Sequence, residues 1–241
     1  MAAGRGVRFG GKTAKQYQPI GGVPMVLRAL RPFTSHPEVA QVVLVLPPDD
    51  AANPPAFLSA LSASLPSASL PSASSAPSLR SGQALTIVPG GAHRVDSVRA
   101  GLAALRRECA VVLVHDGARP FVDRAVIDAV IGLARGGEGA VPAVPLSDTL
   151  KEATATDSTL IKCTRPRAQL WRAQTPQGFP RAVLEAAHAR ATRDGHRATD
   201  DAALVEAIGV PVRLVPDSCR NLKVTTPEDL ALAELLAEAF P

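Results

Sequence analysis

The sequence has few cysteines and few aromatic residues, and each scarcity argues against a class of protein. Among 241 residues only three are cysteines, and 3% are aromatic. Cys109, Cys163 and Cys219 are odd in number and lack the paired spacing of metal ligands, which argues against a disulfide framework and against a zinc site. We therefore predict a reducing, cytoplasmic location.

The chain also lacks a long apolar run and a concentrated basic segment. No run approaches the roughly 18 apolar residues of a membrane span, and the N-terminus has no apolar signal core. The net charge is +4, and 21 of the 26 basic residues are arginines scattered along the chain. Because nucleic-acid binding usually concentrates such charge, we predict a soluble protein without a nucleic-acid or membrane partner. A small anionic substrate suits this charge.

Serine, alanine and proline dominate residues 51–81. They supply 10, 8 and 5 of these 31 residues, and the pentad Ser-Leu-Pro-Ser-Ala occurs twice in tandem. Such a stretch buries too little apolar surface to offset the entropy lost on ordering. We predict a disordered surface insertion inside a single domain that spans residues 1–241.

Outside this stretch, short apolar runs alternate with helical periodicity. The predicted strands are 42–46, 85–88, 110–114, 140–144 and 210–215. The predicted helices are 24–33, 97–107, 123–135, 180–192, 200–208 and 227–240, the last with Thr226 as N-cap and Pro227 at its first position. Near-continuous apolar strands are typical of a parallel sheet covered on both faces. The pattern predicts an α/β fold with a doubly wound, mostly parallel, Rossmann-like sheet.

One strand is missing from this pattern. In α/β proteins a glycine-rich turn stands at the carboxyl end of a strand, yet here the turn begins at residue 2. A central strand would bury about five side chains, each contributing roughly 1.5 to 3 kcal/mol. We therefore expect that translation starts upstream of Met1 and that the first strand lies there.

The glycine-rich segment 4–17 permits three interpretations. A dinucleotide fingerprint fits at Gly4 and Gly6 but is broken at Phe9. A P-loop matches residues 6–13 by letters, but the proline and glycines at 19–22 break the helix that should follow Lys12.

The third interpretation is a nucleotidyltransferase loop, Ala-Ala-Gly-x-Gly-x-Arg, followed by a lysine. Arg8 and Lys15 would then be the cations that face a triphosphate, while the glycines bring backbone amides close to it. A glycine-rich surface loop with solvated charges remains the structural alternative.

Other segments carry polar residues at predicted strand ends. Gly90 and Gly91 follow a strand and precede a helix capped by Asp96 or Ser97, so their amides would line a crevice. Asp116 ends a buried strand, where a carboxylate can hold Mg²⁺ or cap a helix, whereas we interpret His115 as a packed, hydrogen-bonded residue.

The second half of the chain offers further candidates with structural alternatives. Thr199 and Asp200 precede a helix, as an N-cap does. Lys223, one of five lysines, precedes the final helix and could reach the crevice or lie in solvent. Residues 146–170 have poor periodicity, which indicates a protruding arm for dimer contacts, and Trp171 is predicted to be a packing anchor.

Taken together, these segments resemble the 2-C-methyl-D-erythritol 4-phosphate cytidylyltransferase family. The resemblance runs in order from Ala2 to about Leu236. Its motifs are Ala-Ala-Gly-Arg-Gly-Val-Arg, Lys-Gln-Tyr, Gly-Gly-x-x-Arg-x-x-Ser-Val, Val-His-Asp-x-Ala-Arg-Pro, Asp-Thr-Leu-Lys, Gln-Thr-Pro-Gln-x-Phe, Thr-Asp-Asp and Asn-Leu-Lys-Val-Thr-x-Pro-Glu-Asp-Leu. Three features depart from the family's pattern: the missing first strand, the insertion at 51–81, and Gly117 in place of the usual alanine.

The resemblance implies a site and a reaction. It implies catalytic roles for Arg8, Lys15 and Lys223 and a magnesium ligand in Asp116. It implies CTP contacts at Ala2, Ala3, Gly4, Gly6, Gly91 and Ser97. It implies contacts to the substrate phosphate compound at Arg119, Thr149, Arg167, Thr175 and Thr199, in a homodimer whose arm reaches the neighbouring subunit.

The implied reaction joins CTP to 2-C-methyl-D-erythritol 4-phosphate and releases pyrophosphate, with Mg²⁺ as cofactor. The attacking phosphate is already mostly dianionic at pH 7, its second pKa being about 6, so the reaction requires no general base. The alternatives are a ribitol 5-phosphate cytidylyltransferase, a nucleotide-binding protein without catalysis, and a P-loop NTPase that depends on Lys12.

Overall fold

The structure, a computed structural model, describes residues 1–4, 14–58 and 83–240. A short 3-10 helix, Lys15–Tyr17, precedes the α-helices. In this part of the chain the α-helices are α1 Met25–Thr34, α2 Pro48–Ala52, α3 Arg94–Ala103, α4 Arg124–Arg135, α5 Arg181–Arg193, α6 Asp201–Ala207 and α7 Pro227–Ala239. The strands are β1 Pro19–Ile20, β2 Val23–Pro24, β3 Gln41–Leu46, β4 Ala84–Pro89, β5 Val111–Val114, β6 Gly139–Pro145, β7 Leu150–Ala153, β8 Ile161–Arg165, β9 Trp171–Ala173, β10 Gln177–Pro180 and β11 Val212–Pro216.

The central strands form two groups. β11, β6, β10 and β5 are neighbours in that order, and β9 pairs with the other end of β6. β11 runs parallel to β6, and β10 lies antiparallel between β6 and β5, so β5, β6 and β11 share one direction. β3 and β4 form a separate parallel pair. The predicted α/β class with a mostly parallel sheet is confirmed, and the antiparallel β10 is an addition to it.

Helices cover both faces of the larger group of strands. Leu184 of α5 and Leu204 of α6 pack with β5 and β6 in one apolar cluster. On the other face, Ile127 of α4 and Phe33 of α1 pack with residues of β6 and β11. Because both faces are buried, β6 is apolar along nearly its whole length, as the near-continuous runs predicted.

Helix boundaries follow local capping. α3 begins at Arg94 rather than at the predicted residue 97, because the Asp96 carboxylate, already inside the helix, accepts the His93 amide at 3.1 Å. α7 begins as predicted, with Pro227 at its first position and the Thr226 hydroxyl accepting the Asp229 amide at 3.2 Å.

A tight hairpin follows the N-terminal loop. Gly21 and Gly22 join β1 to β2 with φ angles of 54° and 72°, a left-handed pair that glycine adopts without steric cost. Among the described residues the first α-helix begins at Met25, and residues 14–24 contain no α-helix. The P-loop interpretation needs a long helix that opens at Lys12 and continues through residues 14–24, whereas residues 6–13 themselves lie outside the described residues.

The first residues of the predicted disordered insertion, 51–58, lie within the described part of the chain. α2 extends to Ala52, and the side chain of Leu58 is fully buried against the β3 and β4 side of the core. The prediction for 51–81 is therefore wrong for residues 51–58, because Leu58 contributes apolar burial that the serine-rich composition concealed. Residues 59–82 lie outside the described part of the chain.

The predicted arm is an antiparallel hairpin of β7 and β8. Leu160 and Ile161 near its turn are 59% and 58% exposed. Trp171 is 38% exposed at the start of β9, opposite Pro145, so its prediction as a packing anchor is wrong. The hairpin contacts solvent on both faces in the described structure. No helix among the described residues has the length and apolarity to cross a membrane.

Candidate active site

Three loops meet where β3, β4 and β5 end. The Ala2 amide donates to the Val45 carbonyl at 2.9 Å, and the Gly117 amide donates to the Met1 carbonyl at 2.8 Å. A Cβ on Gly90 would stand 2.5 Å from the Ala3 Cβ, so only glycine permits this approach. The structure thus brings Ala2, Ala3 and the loop at 90–91 to the carboxyl edge of the strands, where α/β proteins bind ligands.

Gly91 and Ser97 form a closed turn at the start of α3. The Gly91 amide donates to the Ser97 hydroxyl at 3.1 Å, and a Cβ on Gly91 would stand 2.3 Å from the Asp96 Cβ. The Ser97 oxygen is the acceptor in this bond, and Ser97 is 2% exposed. The structure therefore places two predicted nucleotide contacts side by side.

Lys223 and Asp116 form an ion pair at the same edge. The Lys223 Nζ atom lies 2.7 Å from Asp116 Oδ2, with the two side chains 45% and 15% exposed. Burial alone would raise the pKa of Asp116, but the Lys223 ammonium and its hydrogen bond outweigh burial, and the pKa falls to about 2. The predicted metal ligand is thus a carboxylate at neutral pH, held by a predicted catalytic lysine.

A chain of hydrogen bonds fixes the backbone of Asp116. His115 Nε2 lies 3.0 Å from the Arg119 carbonyl, which only accepts, so Nε2 carries the proton and Nδ1 accepts from the Thr175 hydroxyl at 3.0 Å. The same hydroxyl accepts the Asp116 amide at 3.0 Å. Burial lowers the pKa of His115 to about 4, which keeps it neutral. His115 is the packed histidine that the sequence predicted.

Arg119, predicted to contact the acceptor, bonds to the loop that carries Lys223. Its side chain is buried, and Nη1 donates to the Asn221 carbonyl at 2.6 Å. Burial lowers the pKa of Arg119, while Asp116 and Asp217 oppose this effect. The guanidinium therefore supports the loop that carries Lys223.

Asn221 is a central residue that the sequence analysis left without a role. Its side-chain amide donates to the Thr175 carbonyl at 2.9 Å and to Asp217 at 2.7 Å, while its backbone carbonyl accepts from Gln174 Nε2 at 3.0 Å. Asn221 is 1% exposed. These bonds join the segment before β10 to the segment before α7. The motif Asn-Leu-Lys, which places Asn221 two residues before Lys223, was the sequence signal that could have indicated its position near the site.

A second buried network joins α3 to α6. The Asp201 carboxylate is fully buried, 2.7 Å from Arg94 Nη2 and 2.9 Å from His188 Nε2. Gln177 extends this network with two bonds. Its side-chain carbonyl accepts a hydrogen bond from the Asp201 backbone amide at 3.1 Å, and its side-chain amide donates to the Asp200 carboxylate at 2.8 Å. Asp200 is the N-cap of α6, as predicted, and Thr199 is exposed directly before it.

The remaining predicted residues lie on other segments. Lys15 begins the 3-10 helix that follows the N-terminal loop. Thr149 and Arg167 are exposed at the base of the arm, on either side of the β7 and β8 hairpin. Gly4 is exposed at the end of the first described segment, and the predicted residues Gly6 and Arg8 lie outside the described residues.

The residues around Asp116 fit a divalent cation that is shared with phosphates. The described residues contain no cluster of three or more carboxylate, histidine or cysteine side chains. Magnesium sites in phosphate-transfer enzymes often need only one or two carboxylates, because phosphate oxygens and waters complete the shell. Asp116, ionised and partly exposed at the edge of the crevice, satisfies this requirement.

Glycine turns that let backbone segments approach closely lie beside a lysine and an ionised aspartate at the edge of an α/β sheet. This arrangement suits phosphate transfer from a nucleotide, and the fold defines the class as a nucleotidyltransferase. A profile of one family within this class, IspD: 2-C-methyl-D-erythritol 4-phosphate cytidylyltransferase, matches residues 1–239. The chain belongs to this family, which confirms the predicted resemblance and the predicted enzyme class, a cytidylyltransferase.

Individual relatives agree with this assignment. A 2-C-methyl-D-erythritol 4-phosphate cytidylyltransferase of Streptomyces coelicolor is 43% identical over 97% of this chain and 81% of that protein. A bifunctional enzyme IspD/IspF of Solidesulfovibrio magneticus is 42% identical over the whole chain, which spans 57% of that longer protein. The crystal structure of the Thermus thermophilus cytidylyltransferase superposes with a TM-score of 0.71 at 35% identity, covering 93% of this chain and 94% of that one.

Proposed function

We propose that this chain transfers CMP from CTP to 2-C-methyl-D-erythritol 4-phosphate, giving 4-diphosphocytidyl-2-C-methyl-D-erythritol and pyrophosphate. The observation that carries the proposal is the Lys223–Asp116 pair at 2.7 Å, set beside the glycine turns at the carboxyl edge. Family membership supports CTP as donor and the methylerythritol phosphate as acceptor.

The reaction is an in-line displacement at the α-phosphorus. An oxygen of the acceptor phosphate forms a bond to this phosphorus, and the bond to the bridging oxygen breaks, so that pyrophosphate leaves with its electron pair. The acceptor phosphate is dianionic at neutral pH, so the chain need not supply a base. The chemical demand is electrostatic, because two anions must approach each other.

The basic residues of the site meet this demand. Lys223 and Lys15, with Arg8 from the N-terminal loop, are proposed to neutralise the triphosphate and the charge that develops on the bridging oxygen. A divalent cation, which we propose to be Mg²⁺, would be held by Asp116 and would supply further neutralisation of the phosphates. A cation held by Asp116 would compete with Lys223 for this carboxylate, and Lys223 would then be free to neutralise the phosphates.

The predicted acceptor residues fall into two groups. Arg119 and Thr175 are buried, and their polar atoms already bond to the Asn221 carbonyl and to His115. We propose that these two act by positioning Lys223 and Asp116. Thr149, Arg167 and Thr199 are exposed and are proposed to contact the acceptor directly. The nucleotide is assigned to Gly91 and Ser97 together with residues 2–4 and Gly6.

The decisive test is pyrophosphate release from CTP with alternative acceptors. We expect release with 2-C-methyl-D-erythritol 4-phosphate and a divalent cation, and at least about tenfold less with ribitol 5-phosphate, because a polar site rejects an ill-fitting polyol. Preference for ribitol 5-phosphate would establish the alternative cytidylyltransferase. Binding of CTP without release under all conditions would refute catalysis by this chain, and hydrolysis of ATP alone would refute the family's reaction.

The arm supports a proposed homodimer. Leu160, Ile161 and Leu170 expose apolar side chains on or beside the hairpin, whose two faces lack cover in the described structure. We propose that a second copy covers this surface and that Arg167 reaches the partner's crevice. The three cysteines are unpaired, which supports the proposed cytoplasmic location.

Mixing two inactive variants tests the shared site. If Arg167 acts across the dimer, Arg167→Ala and Lys223→Ala subunits form heterodimers with one intact site, and random mixing restores about a quarter of the sites. If Arg167 acts within its own subunit, every site keeps a defect and no activity returns.

Sedimentation analysis of Ile161→Asp, with exposed Leu235→Asp on α7 as matched control, tests the arm as the interface.

A further inference from the structure

Tyr17, the one tyrosine of the sequence, joins the 3-10 helix that begins at Lys15 to helix α2. Its hydroxyl donates to Asp50 Oδ2 at 2.7 Å, and Asp50 lies in the first turn of α2. Burial and the Asp50 carboxylate raise the pKa of Tyr17, so the hydroxyl remains a donor at neutral pH. The catalytic proposal gives Tyr17 and Asp50 no role.

Apolar contacts hold the ring of Tyr17. It stands edge-on to the ring of Phe57, with the two centroids 5.7 Å apart and the ring planes at 73°. Both rings pack against one apolar cluster that contains Ala2, a predicted nucleotide contact, and the fully buried Leu58. Phe57 and Leu58 thus connect the start of the serine-rich segment to the helix that carries Lys15.

Helix α2 is attached to the edge of the sheet where the nucleotide contacts lie. It begins at Pro48, two residues after the end of β3. The carbonyl of Leu46, the last residue of β3, accepts the Gly90 amide at 2.7 Å. Backbone bonds therefore set the position of Asp50 relative to the glycine turn.

The geometry of a 3-10 helix relates the direction of Lys15 to that of Tyr17. With about three residues per turn, successive side chains point about 120° apart. Within Lys15–Tyr17, the side chain of Gln16 is buried and that of Tyr17 is bonded to α2, so the protein occupies these two directions. The third direction belongs to Lys15, which is half-buried. Rotation of this helix would require Tyr17 to leave Asp50.

We propose that Tyr17 and Asp50 are positioning residues for Lys15 in nucleotidyl transfer. The inference rests on the proposed function and deepens it, because Lys15 is one of the cations proposed to face the triphosphate. A cation stabilises the transition state best when it is already in place as charge develops, and a displacement of about 1 Å can cost about a hundredfold in rate. Loss of the Tyr17 hydroxyl should therefore lower kcat more than it raises KM for CTP.

Conservative substitutions test the hydrogen bond. Tyr17→Phe keeps the ring on Phe57 and removes only the hydroxyl, so kcat for pyrophosphate release should fall about tenfold while KM for CTP changes less than about threefold. Asp50→Ala should have the same effect. Asp50→Asn, whose side-chain carbonyl still accepts the hydroxyl proton, should keep at least about half of the activity. The matched control is Asp49→Ala, which removes an exposed carboxylate from the same turn of α2 and should leave kcat unchanged.

A double-mutant cycle shows whether Tyr17 acts through Lys15. Lys15→Ala should lower kcat at least about a hundredfold. Tyr17→Phe should then cause less than about a twofold further loss, because the group that Tyr17 positions is gone. A residue that only stabilises the fold would instead cause the same loss with and without the Lys15 side chain.

Hydrogen exchange reports on the same contact without turnover. The Tyr17 amide donates to the Ala14 carbonyl at 2.9 Å, and the Gln18 amide donates to the Lys15 carbonyl at 3.1 Å. Both amides should exchange at least about tenfold faster in Tyr17→Phe, because the helix is then free to open locally. The Asp49→Ala control should leave both rates unchanged.

The contrary results are distinct. Equal losses from Tyr17→Phe with and without the Lys15 side chain, or a lower Tm with unchanged kcat, would overturn the positioning role. Unchanged exchange at the two amides would overturn it as well, because the hydroxyl would then not hold the helix. Absence of pyrophosphate release from the unsubstituted chain would refute the proposed reaction, and with it the catalytic purpose of the contact, even where exchange shows that the contact holds the helix.

Discussion

The two sides of the crevice differ in how their residues are held. We name the two sides after the ligands that the proposed function assigns to them. The nucleotide side comprises residues 1–4, β3, β4 and the start of α3, and within it the described bonds are mostly between backbone groups, as between Ala2 and Val45. The acceptor side comprises residues 115–119, 174–177 and 217–224, where buried side chains such as Arg119 and Asn221 bond across long sequence separations. Side-chain bonds therefore hold the acceptor side together, whereas the nucleotide side is held mainly by its backbone.

The largest effect is expected on the acceptor side, at Lys223. Lys223→Ala removes the cation that faces Asp116 and, in the proposed reaction, the triphosphate, so turnover should fall by at least about a hundredfold. Pyrophosphate release at saturating substrates measures it, with Arg193→Ala, an exposed cation at the end of α5, as control. Near-normal turnover with unchanged Tm would remove Lys223 from the catalytic assignment.

The second prediction concerns the buried ion pair between Arg94, at the start of α3 on the nucleotide side, and Asp201 of α6. Arg94→Met leaves the fully buried Asp201 carboxylate with His188 alone, and the free energy of unfolding should fall by about 3 kcal/mol. Arg99→Met, on the same helix, removes a partly exposed pair with Asp96 and should cost less than about 1 kcal/mol. If urea denaturation shows equal losses of unfolding free energy in the two variants, the buried pair contributes no more to stability than the exposed one.

The third prediction separates the sides by pH. Burial lowers the pKa of His115 from 6.5 to about 4, so between these values the unfolded chain binds more protons and stability falls as pH falls. This loss should approach about 3 kcal/mol between pH 7 and pH 4. Asp116, with its pKa lowered to about 2, adds a further loss only below its ordinary value of 3.8.

Urea denaturation at several pH values measures this slope. His115→Gln should flatten it between pH 6.5 and pH 4, whereas His93→Gln, which replaces an exposed histidine on the nucleotide side, should leave it unchanged. An unaltered slope in the His115 variant would assign the pH dependence to other groups.

The smallest expected effect compares two asparagines. Asn221→Ala leaves the Thr175 carbonyl and Asp217 without their donor, and should lower the free energy of unfolding by about 2 kcal/mol. Asn53→Ala, at the exposed end of α2, should change it by less than about 0.5 kcal/mol. A similar small change in both would mean that the acceptor side is not held by its side chains.

The sequence predicted the elements that carry strong periodicity and the motifs at strand ends. Helix α7 with its Thr226 cap and strand β3 with its continuous apolar run follow from local preferences, and both were predicted within a residue or two. β10 was missed, because Gln-Gly-Phe-Pro has no strand pattern and pairs only through its contacts with β5 and β6. Its central position depends on tertiary structure alone.

Site residues were predictable by type but not by orientation. Asp116 and Lys223 were both proposed from their positions after a strand and before a helix, and the structure brings them together. The substrate contact of Arg119 stays a prediction, and the sequence did not reveal that its guanidinium donates to the Asn221 carbonyl, more than a hundred residues away. Local sequence contains no signal for such distant partners.

The ion pair between Arg94 and Asp201 has a consequence for the affinities of the two proposed ligands. It joins α3, which begins after the glycines at 90–91, to α6, which begins after Thr199 and Asp200. If a bound nucleotide strengthens or weakens this bond, the affinity for the acceptor changes by some factor, and the acceptor must change the affinity for the nucleotide by that same factor. In that case one buried ion pair would couple the binding of the two ligands, and each ligand would change the affinity of the other equally.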